Sequence, residues 1–473
     1  MEGTPNIFVP LALFGWIPAV VVLFLLFPYR RAVVASFLLA WMFLPMYEYE
    51  IQGLPDYSKS SATCVGVFLA SLMFAAPKLL SFRPRLFDLP MLGLCLVPFA
   101  SSMVNGFGAY EGVSGVFTAT VAWGMPYFIG RTLLRDHQGV KELAWGMVIG
   151  GLVYMPLCLF EIRFSPQLHN MVYGYHQHMF LQAWREGWRP MVFMQHGLMV
   201  GMFMASASLL GYWFWRSKAK RVVWGLPIAL LVIGLMGVTV LCKSAGAFAL
   251  MLLGIGVLTV ATWFRARVLV YAMVLIPAAY MTARTVGGWK GLELVDLAGT
   301  IFGPDRAQSL MTRLRSETGL WSIVEAQGAK LFGLGRFNVV GWQGPGGAVE
   351  GDLGIIPDGL WIITLGVNGL VGLISLSLVL TLPVFLMLRR FPVRLWSRPE
   401  VGPSIVLAVA LSTYFIDCLF NAMVNPLFIL AAGALSSASL DRSLLAPSPN
   451  VIVPEVIADE PVETPVEVPA WPA

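Results

Sequence analysis

Residues 7–27 read IFVPLALFGWIPAVVVLFLLF, an uncharged stretch long enough to cross the hydrocarbon core of a bilayer as a helix. Comparable apolar stretches recur along the chain, whose 473 residues are 58% hydrophobic and only 12% charged. Soluble domains carry about a quarter charged residues, so a chain this apolar could not cover its own surface in water. The stretches do not alternate apolar and polar residues, as the strands of a membrane barrel do. We therefore predict an all-α, polytopic transmembrane helical bundle.

The apolar stretches predict thirteen spans, or twelve if one of the short ones does not cross. The candidate spans are residues 7–28, 32–46, 61–77, 88–105, 113–130, 142–161, 191–215, 222–242, 245–264, 268–284, 357–388, 404–420 and 425–440. They make up a membrane domain over residues 1–440. Residues 441–473 are rich in Pro, Val and Glu without periodicity, which predicts a disordered tail.

Basic residues gather in every second loop between these spans. Examples are Arg30-Arg31, the run from Arg216 to Arg221, and Arg389-Arg390. Cytoplasmic loops carry an excess of Lys and Arg, so these loops are expected inside, with the N-terminus outside and the tail in the cytoplasm. The outer side then holds two long segments, residues 162–190 and 285–356.

The two outer segments are themselves rich in cations, against the general charge pattern. The cations in and just before these segments are Arg163, Arg185, Arg189, Arg284, Lys290, Arg306, Arg313, Arg315, Lys330 and Arg336. An anionic ligand is one reason to keep them there, and arginine suits a bidentate grip on phosphate or carboxylate oxygens. The alternative is that nearby acidic residues, such as Glu317 and Glu325, simply pair with them.

The second outer segment is predicted to be partly helical. Pro304-Asp305 is typical of a helix start, with Asp305 as the cap, and Gly319 is expected to separate this helix from a second one over residues 320–330. Arg306 and Arg313 are seven residues apart and should share one side of the first helix. The glycine-rich stretch that follows lacks the spacing of a phosphate-binding loop and predicts a lid or a carbohydrate-facing loop. Trp342 in that loop is a candidate for stacking on a sugar or, alternatively, an interfacial residue.

Three further residues are polar candidates next to or within spans. His196 opens a span and is either a functional residue or a histidine bonded to a neighbouring helix. Asp358 opens the span after the large loop, as a functional acid or a helix cap. Asp417 is predicted to lie deep in a span, as an ion-coupling site or as one partner of a helix–helix hydrogen bond.

No metal site is predicted from the remaining histidines. His169, His176 and His178 lie close together in the sequence, but no cysteine or carboxylate completes a set of ligands.

Three stretches, taken in order, resemble the O-antigen ligase and O-antigen (polysaccharide) polymerase superfamily of bacterial inner-membrane glycosyltransferases. The stretches are RPMVFMQHGLMVGMFMA from Arg189, LCKSAGAFALMLLGIG from Leu241, and DRAQSLMTRLRSETGLWSIVEAQGAKLFGLG from Asp305 followed by DGLWIITLGVNGLVGL from Asp358. The resemblance implies transfer of a glycan from a polyprenyl diphosphate carrier to a hydroxyl of another glycan or of a lipid core. It implies the outer face of the inner membrane, no metal and no cofactor. Polysaccharide export and chain-length proteins are possible partners, and no nucleic acid is expected.

The resemblance also implies roles for particular residues. It assigns the diphosphate to Arg189, Arg313 and Arg315, supported by Arg306 and Lys243. It assigns the general base to Asp358 first and His196 second. Two departures matter: Lys243 stands where the family usually has arginine, and Asp358-Gly359 stands where ligases often have His-Asn. The second departure favours a polysaccharide polymerase over a ligase.

The alternative function is a lipid-linked glycan flippase or another membrane transporter. Transporters place ionisable residues near the bilayer midplane and have paired broken helices. The cations here lie instead in the outer segments, which favours an enzyme that works at the membrane surface.

Overall fold

The computed structural model describes residues 3–51, 56–178, 187–335 and 357–441, and in this part the chain is mainly helical with almost no sheet. The predicted all-α class is therefore confirmed. The helices of the first half are α1 Phe8–Leu26, α2 Tyr29–Phe43, α3 Lys59–Phe74, α4 Ala76–Leu80, α5 Leu89–Val104, α6 Ala109–Ala119, α7 Met125–Leu133, α8 His137–Phe164 and α9 Leu168–Tyr173. A π-helical turn, Thr120–Gly124, joins α6 to α7.

The second half is built in the same way. Its helices are α10 Gly197–Arg216, α11 Ile228–Leu241, α12 Ala245–Phe264, α13 Val268–Thr285, α14 Leu292–Phe302, α15 Pro304–Ala326, α16 Leu360–Arg390, α17 Gly402–Asp417 and α18 Pro426–Ala438. Two antiparallel hairpins of two-residue strands pair β1 Glu48–Tyr49 with β2 Tyr57–Ser58, and β3 Val222–Val223 with β4 Leu226–Pro227.

Seven of the described helical segments are long and apolar enough to cross a membrane, so the chain has the character of a multi-pass membrane protein. They are Phe8–Leu26, Leu86–Val104, His137–Phe164, Gly197–Arg216, Ala245–Phe264, Val268–Thr285 and Leu360–Arg390. Four shorter apolar helices accompany them: α3, α11, α17 and α18. Each of the thirteen predicted spans contains a helix, but the number that cross stays a prediction.

Helices α10, α17 and α18 form the centre of the bundle. Every residue of α17 is buried, and α10 packs against α8, α11, α12 and α17. Because these central helices are covered on all sides, their ends are the places where polar groups can gather. We call one end of the bundle the site face. It is formed by the C-termini of α8 and α17, the N-termini of α10 and α16, and the α11–α12 turn.

Helix α15 differs from its prediction in two ways. It runs unbroken from Pro304 to Ala326, so the expected break at Gly319 is wrong. A glycine inside a helix costs only about 1 kcal/mol, which tertiary contacts on either side of Gly319 outweigh. The N-cap is Gly303, and Asp305 lies in the first turn instead, where its charge complements the helix dipole.

Helix α16 is interrupted at Gly369, whose φ of 63° and ψ of −162° are not helical. Residues 330–335 pass through this break and pair with it. The amides of Leu334 and Gly335 donate to the carbonyls of Gly366 and Val367, at 2.7 and 3.0 Å, and the amide of Leu370 donates to Lys330. The long predicted span 357–388 is thus a broken helix whose free backbone groups at the break are bonded to residues 330–335, within the large outer segment.

Candidate functional site

The segment that carries Arg189 is held in place by a buried glutamate. Glu161, near the C-terminus of α8, is fully buried. Its Oε2 accepts hydrogen bonds from the amides of Met191 and Val192, at 2.8 and 2.7 Å, and its Oε1 accepts one from Leu168 at 3.0 Å. One carboxylate therefore satisfies three backbone donors and fixes both ends of the chain between α8 and α10.

Two other side chains complete this support. The Tyr154 hydroxyl accepts a hydrogen bond from the amide of Phe193 at 3.0 Å. The Gln177 side-chain amide donates to the carbonyls of Val192 and Met194, both at 3.1 Å. With its backbone groups bonded in this way, the segment presents Arg189 from a rigid support.

The Arg189 side chain is buried and lies directly over the first residue of α10. A Cβ built on Gly197 would stand 2.5 Å from Cγ of Arg189, well inside van der Waals contact. Only glycine at this position lets the arginine stem pass. The guanidinium then reaches the α11–α12 turn, where its Nη2 donates to the backbone carbonyl of Lys243 at 3.1 Å.

The same carbonyl receives a second arginine. Arg306, from the first turn of α15, donates from Nη2 to the oxygen of Lys243 at 3.0 Å. Lys243 has a φ of 53°, a left-handed conformation that turns its carbonyl toward the two guanidinium groups. Three segments that are far apart in sequence thus meet at one oxygen atom.

Arg313 adds a third positive charge, and we call Arg189, Arg306 and Arg313 the arginine cluster. Burial, together with the charges of Arg306 and Arg313, lowers the pKa of Arg189 from 12.5 to about 10. Arg189 is therefore still charged at neutral pH. As the seven-residue spacing predicts, Arg306 and Arg313 lie on the same side of α15.

Two acids flank Arg313. Its Nε donates to Oδ2 of Asp358 at 3.0 Å, and the Asp358 side chain remains 45% exposed. The buried carboxylate of Asp417, at the end of α17, is close enough to interact with the charge of Arg313. Asp417 also accepts a hydrogen bond from the Asn421 side chain at 2.7 Å. It therefore lies at the site face, as the last residue of α17.

Asp358 does not cap α16, because the N-cap residue is Gly359. The turn is fixed by the bundle: the amide of Leu360 donates to the carbonyl of Cys418 at 2.9 Å, and Gly359 lies against the carbonyl of Leu419. These contacts bring the C-terminus of α17 to the N-terminus of α16 and place Asp358 beside the arginine cluster.

Helix α15 is attached to the bundle by a buried ion pair. Arg284 Nε donates to Oε2 of Glu317 at 2.9 Å, and both side chains are almost fully buried. Tyr280 and Trp361 also donate to the Glu317 carboxylate. The sequence left open whether the outer cations bind an anionic ligand or pair with nearby acidic residues. Arg284 pairs with Glu317, and the exposed Lys330 pairs with Glu325, so for these two cations the second alternative is correct.

His196 caps α10. Its Nδ1 accepts a hydrogen bond from the amide of Leu198 at 3.1 Å, so in the neutral ring the proton is on Nε2. Burial, followed by the neighbouring His178, Arg189 and Arg313, lowers the pKa of His196 to about 3. A histidine with this pKa stays neutral and is a poor proton acceptor, but its Nε2–H is a hydrogen-bond donor next to the cluster.

Of the other residues predicted for the site, Lys243 belongs to it and Arg315 does not. The Lys243 ammonium group lies against Gly187, beside the Arg189 segment. Arg315 is exposed, and two residues along a helix turn a side chain about 200° away from Arg313. Arg185, Arg336 and Trp342, named above, lie outside the described residues, as does all of the predicted tail except Asp441.

Sequence reasoning missed Glu161 entirely, and it did not predict the proximity of Asp417 to Arg313. The sequence did contain a signal for Glu161, which lies at the C-terminus of an apolar span. A negative charge there interacts unfavourably with the helix dipole, so its presence indicates a specific structural or functional role. His169 is structural: its Nδ1 bonds to the carbonyl of Tyr175 and its Nε2 accepts from the amide of Met46. Within the described ranges no three His, Cys, Asp or Glu side chains are grouped as metal ligands.

Comparisons of the chain with known family models and with curated proteins gave no match.

Proposed function

We propose that this protein is a membrane glycosyltransferase that moves a glycan from a polyprenyl diphosphate carrier to a sugar hydroxyl at the outer face of a bacterial inner membrane. The observation that carries the proposal is the convergence of Arg189 and Arg306 on the carbonyl of Lys243, with Arg313 close by. Like charges held together repel one another, and a site that keeps them so is suited to a multiply charged anion.

The chemistry that follows is a substitution at the anomeric carbon. The acceptor hydroxyl oxygen attacks that carbon, the bond from the carbon to the phosphate oxygen breaks, and the diphosphate leaves with the electron pair. The arginine cluster stabilises the negative charge that develops on the leaving diphosphate. Its arginines are carried by helix α15 and by the hydrogen-bonded segment before α10, so their positions need to change little during the reaction.

Asp358 is the proposed general base. Only its Oδ2 is engaged by Arg313 in the contacts described, and the side chain is partly exposed, so a hydroxyl can approach the carboxylate. The proton of the acceptor hydroxyl passes to Asp358 as the new glycosidic bond forms. His196, whose Nδ1 is used in capping, serves instead as a donor through Nε2. This arrangement supports Asp358 over His196 as the base.

A transporter is the second candidate, and the break in α16 is the observation that favours it. In transporters the backbone groups of a broken helix bind the substrate or coupling ion. Here residues 330–335 occupy the break and bond to its carbonyls, and Asp417 lies at the site face. Both observations favour the glycosyltransferase.

The deciding experiment uses the protein purified into lipid discs and a polyprenyl diphosphate glycan as the donor, with and without a chelator. A ladder of longer glycans that survives the chelator is the result expected of a metal-independent polymerase, whereas transfer only to an added lipid core indicates a ligase. If the donor is unchanged but crosses the bilayer of sealed vesicles, the transporter is the correct function.

A further inference from the structure

A second polar feature lies on the same side of the bundle as the arginine cluster. The first residue of α3, Lys59, is 5% exposed and lines a cavity of about 510 Å³ between α2, α3, the start of α7 and the segments that precede α3 and α10. This volume is within the range of roughly 300–1,000 Å³ typical of pockets for small molecules. Gln195 also lines the cavity and directly precedes His196, which lies close enough to Arg189 and Arg313 to interact with their charges, so the cavity adjoins the arginine cluster.

The Lys59 ammonium group has few partners for a buried charge. Its hydrogen bond to the carbonyl of Trp41 is long, at 3.4 Å, and it stands 4.5 Å from the centre of the Trp41 ring. No carboxylate of the described residues makes a salt bridge with it. A buried lysine without a counter-ion is costly to keep charged, and an anionic ligand in the cavity would favour its charged form.

The rest of the cavity wall identifies the kind of anion. Trp41 and Tyr47 supply aromatic faces, Ser60 and Thr63 supply hydroxyl groups, and Gln177 and Gln195 supply side-chain amides. Glu48 also lines the cavity, and burial raises the pKa of its carboxyl group, which favours the neutral form beside an anion. Aromatic faces with hydroxyl and amide groups suit a sugar ring, which has apolar faces and a polar rim. One lysine, in place of several arginines, suits the single charge of a carboxylate better than a diphosphate.

We propose that this cavity is a saccharide subsite that recognises an acidic sugar, with Lys59 paired to the sugar carboxylate and Trp41 against its ring. The inference rests on the proposed function for its saccharide ligand, since the cavity adjoins the arginine cluster through Gln195 and His196. It goes further by naming the substrate class: a glycan that contains a uronic or other carboxylated sugar. Such a glycan would place its acidic residue near Lys59 while its diphosphate end, or the growing acceptor end, lies at the arginine cluster.

The test is direct binding to the full-length protein in lipid discs, measured by calorimetry without any donor lipid. The probes are glucuronate, tetragalacturonate and N-acetylneuraminate, with glucose, maltotetraose and inorganic diphosphate for comparison. The variants are Lys59→Met, which removes the charge but keeps the length of the side chain, and Lys218→Met, an exposed lysine in the α10–α11 loop, as the matched control. We expect at least one acidic probe to bind more tightly than the neutral sugars, and to lose about tenfold or more in affinity in Lys59→Met only.

Three results would overturn the proposal: no acidic probe binds better than the neutral ones, Lys59→Met binds as the wild type does, or inorganic diphosphate displaces the acidic sugar from Lys59. Folding is checked by the thermal midpoint without ligand, which should rise in Lys59→Met because an unpaired buried charge is removed. Since no transfer reaction is involved, an inactive transferase would leave this binding result intact, and the two proposals fail separately.

Discussion

Arg189 and Arg306 donate hydrogen bonds to one and the same atom, the backbone oxygen of Lys243, at 3.1 and 3.0 Å. A carbonyl oxygen holds only a partial negative charge, so this contact positions the two guanidinium groups and does not by itself neutralise them. It fixes the direction of each planar guanidinium group. This geometry is the basis of the first prediction.

Arg189→Lys is expected to lower transfer activity by about 10²–10³-fold, the loss typical when one preorganised donor to a developing anion is removed. Lysine keeps the charge but cannot bond to Lys243 and to a phosphate oxygen through one planar fork. Initial rates in lipid discs, normalised to the amount of folded protein, measure the effect. Arg163→Lys, an exposed arginine at the end of α8, is the matched control; equal rates for both variants would remove Arg189 from the mechanism.

Arg313 and Arg315 form a natural pair for testing the site, because both are on α15 and only Arg313 faces the cluster. Arg313→Ala should abolish most activity, since it removes a cluster charge and the partner of Asp358. Arg315→Ala should retain activity close to wild type. Single-turnover rates with a fixed donor concentration compare the two. A severe loss in Arg315→Ala would show that the sequence-based assignment of Arg315 to the diphosphate is right after all.

Asp358→Asn is expected to reduce the rate by about 10²–10⁴-fold, because an amide cannot accept the proton of the acceptor hydroxyl. Donor binding should change far less, or tighten, since the neutral amide no longer competes with the diphosphate for Arg313. Parallel measurements of kcat and of donor affinity separate the two effects. A weaker affinity with an unchanged kcat would instead make Asp358 a positioning residue for Arg313.

His196 gives a prediction about pH. Its pKa is about 3 in the folded protein against an ordinary value of 6.5, so the unfolded state binds the proton more readily. The contribution of His196 to stability is therefore complete above about pH 6.5 and is lost as the pH falls toward 3. The thermal midpoint of the wild type should drop between pH 7.5 and 5, and the drop should be smaller in His196→Asn, which keeps a helix cap. Identical pH profiles would contradict the buried, neutral histidine.

Gly197→Ala tests how closely Arg189 packs on α10. The added methyl group would collide with the arginine stem and displace it, so activity should fall strongly, although alanine favours the helix itself. Gly256→Ala, in α12, has open space around the new methyl group and serves as the control. Activity and thermal midpoint are measured together; full activity in Gly197→Ala would mean that the position of Arg189 is not critical.

Much of this fold could be predicted from the sequence, because membrane spans are long apolar stretches that are easily recognised. Every predicted span contains a helix. It also predicted the alignment of Arg306 with Arg313, because seven residues return to the same side of a helix. The same rule, applied to Arg315, would have placed it on the opposite side. The anchoring carbonyl of Lys243, the support from Glu161 and the position of Asp417 could not be predicted, since each depends on contacts between segments far apart in sequence.

The break in α16 has a consequence for how this kind of fold can diversify. Gly335 is bonded to Val367, and Leu360, at the start of the same helix, is bonded to Cys418. Val367 and Leu360 are seven residues apart on α16, or about 10 Å along its axis. The connection from Gly335 to Leu360 therefore joins two neighbouring fixed points, and lengthening such a connection costs little free energy. Changes in the length of this connection can thus be accepted without repacking the helices that hold the arginine cluster.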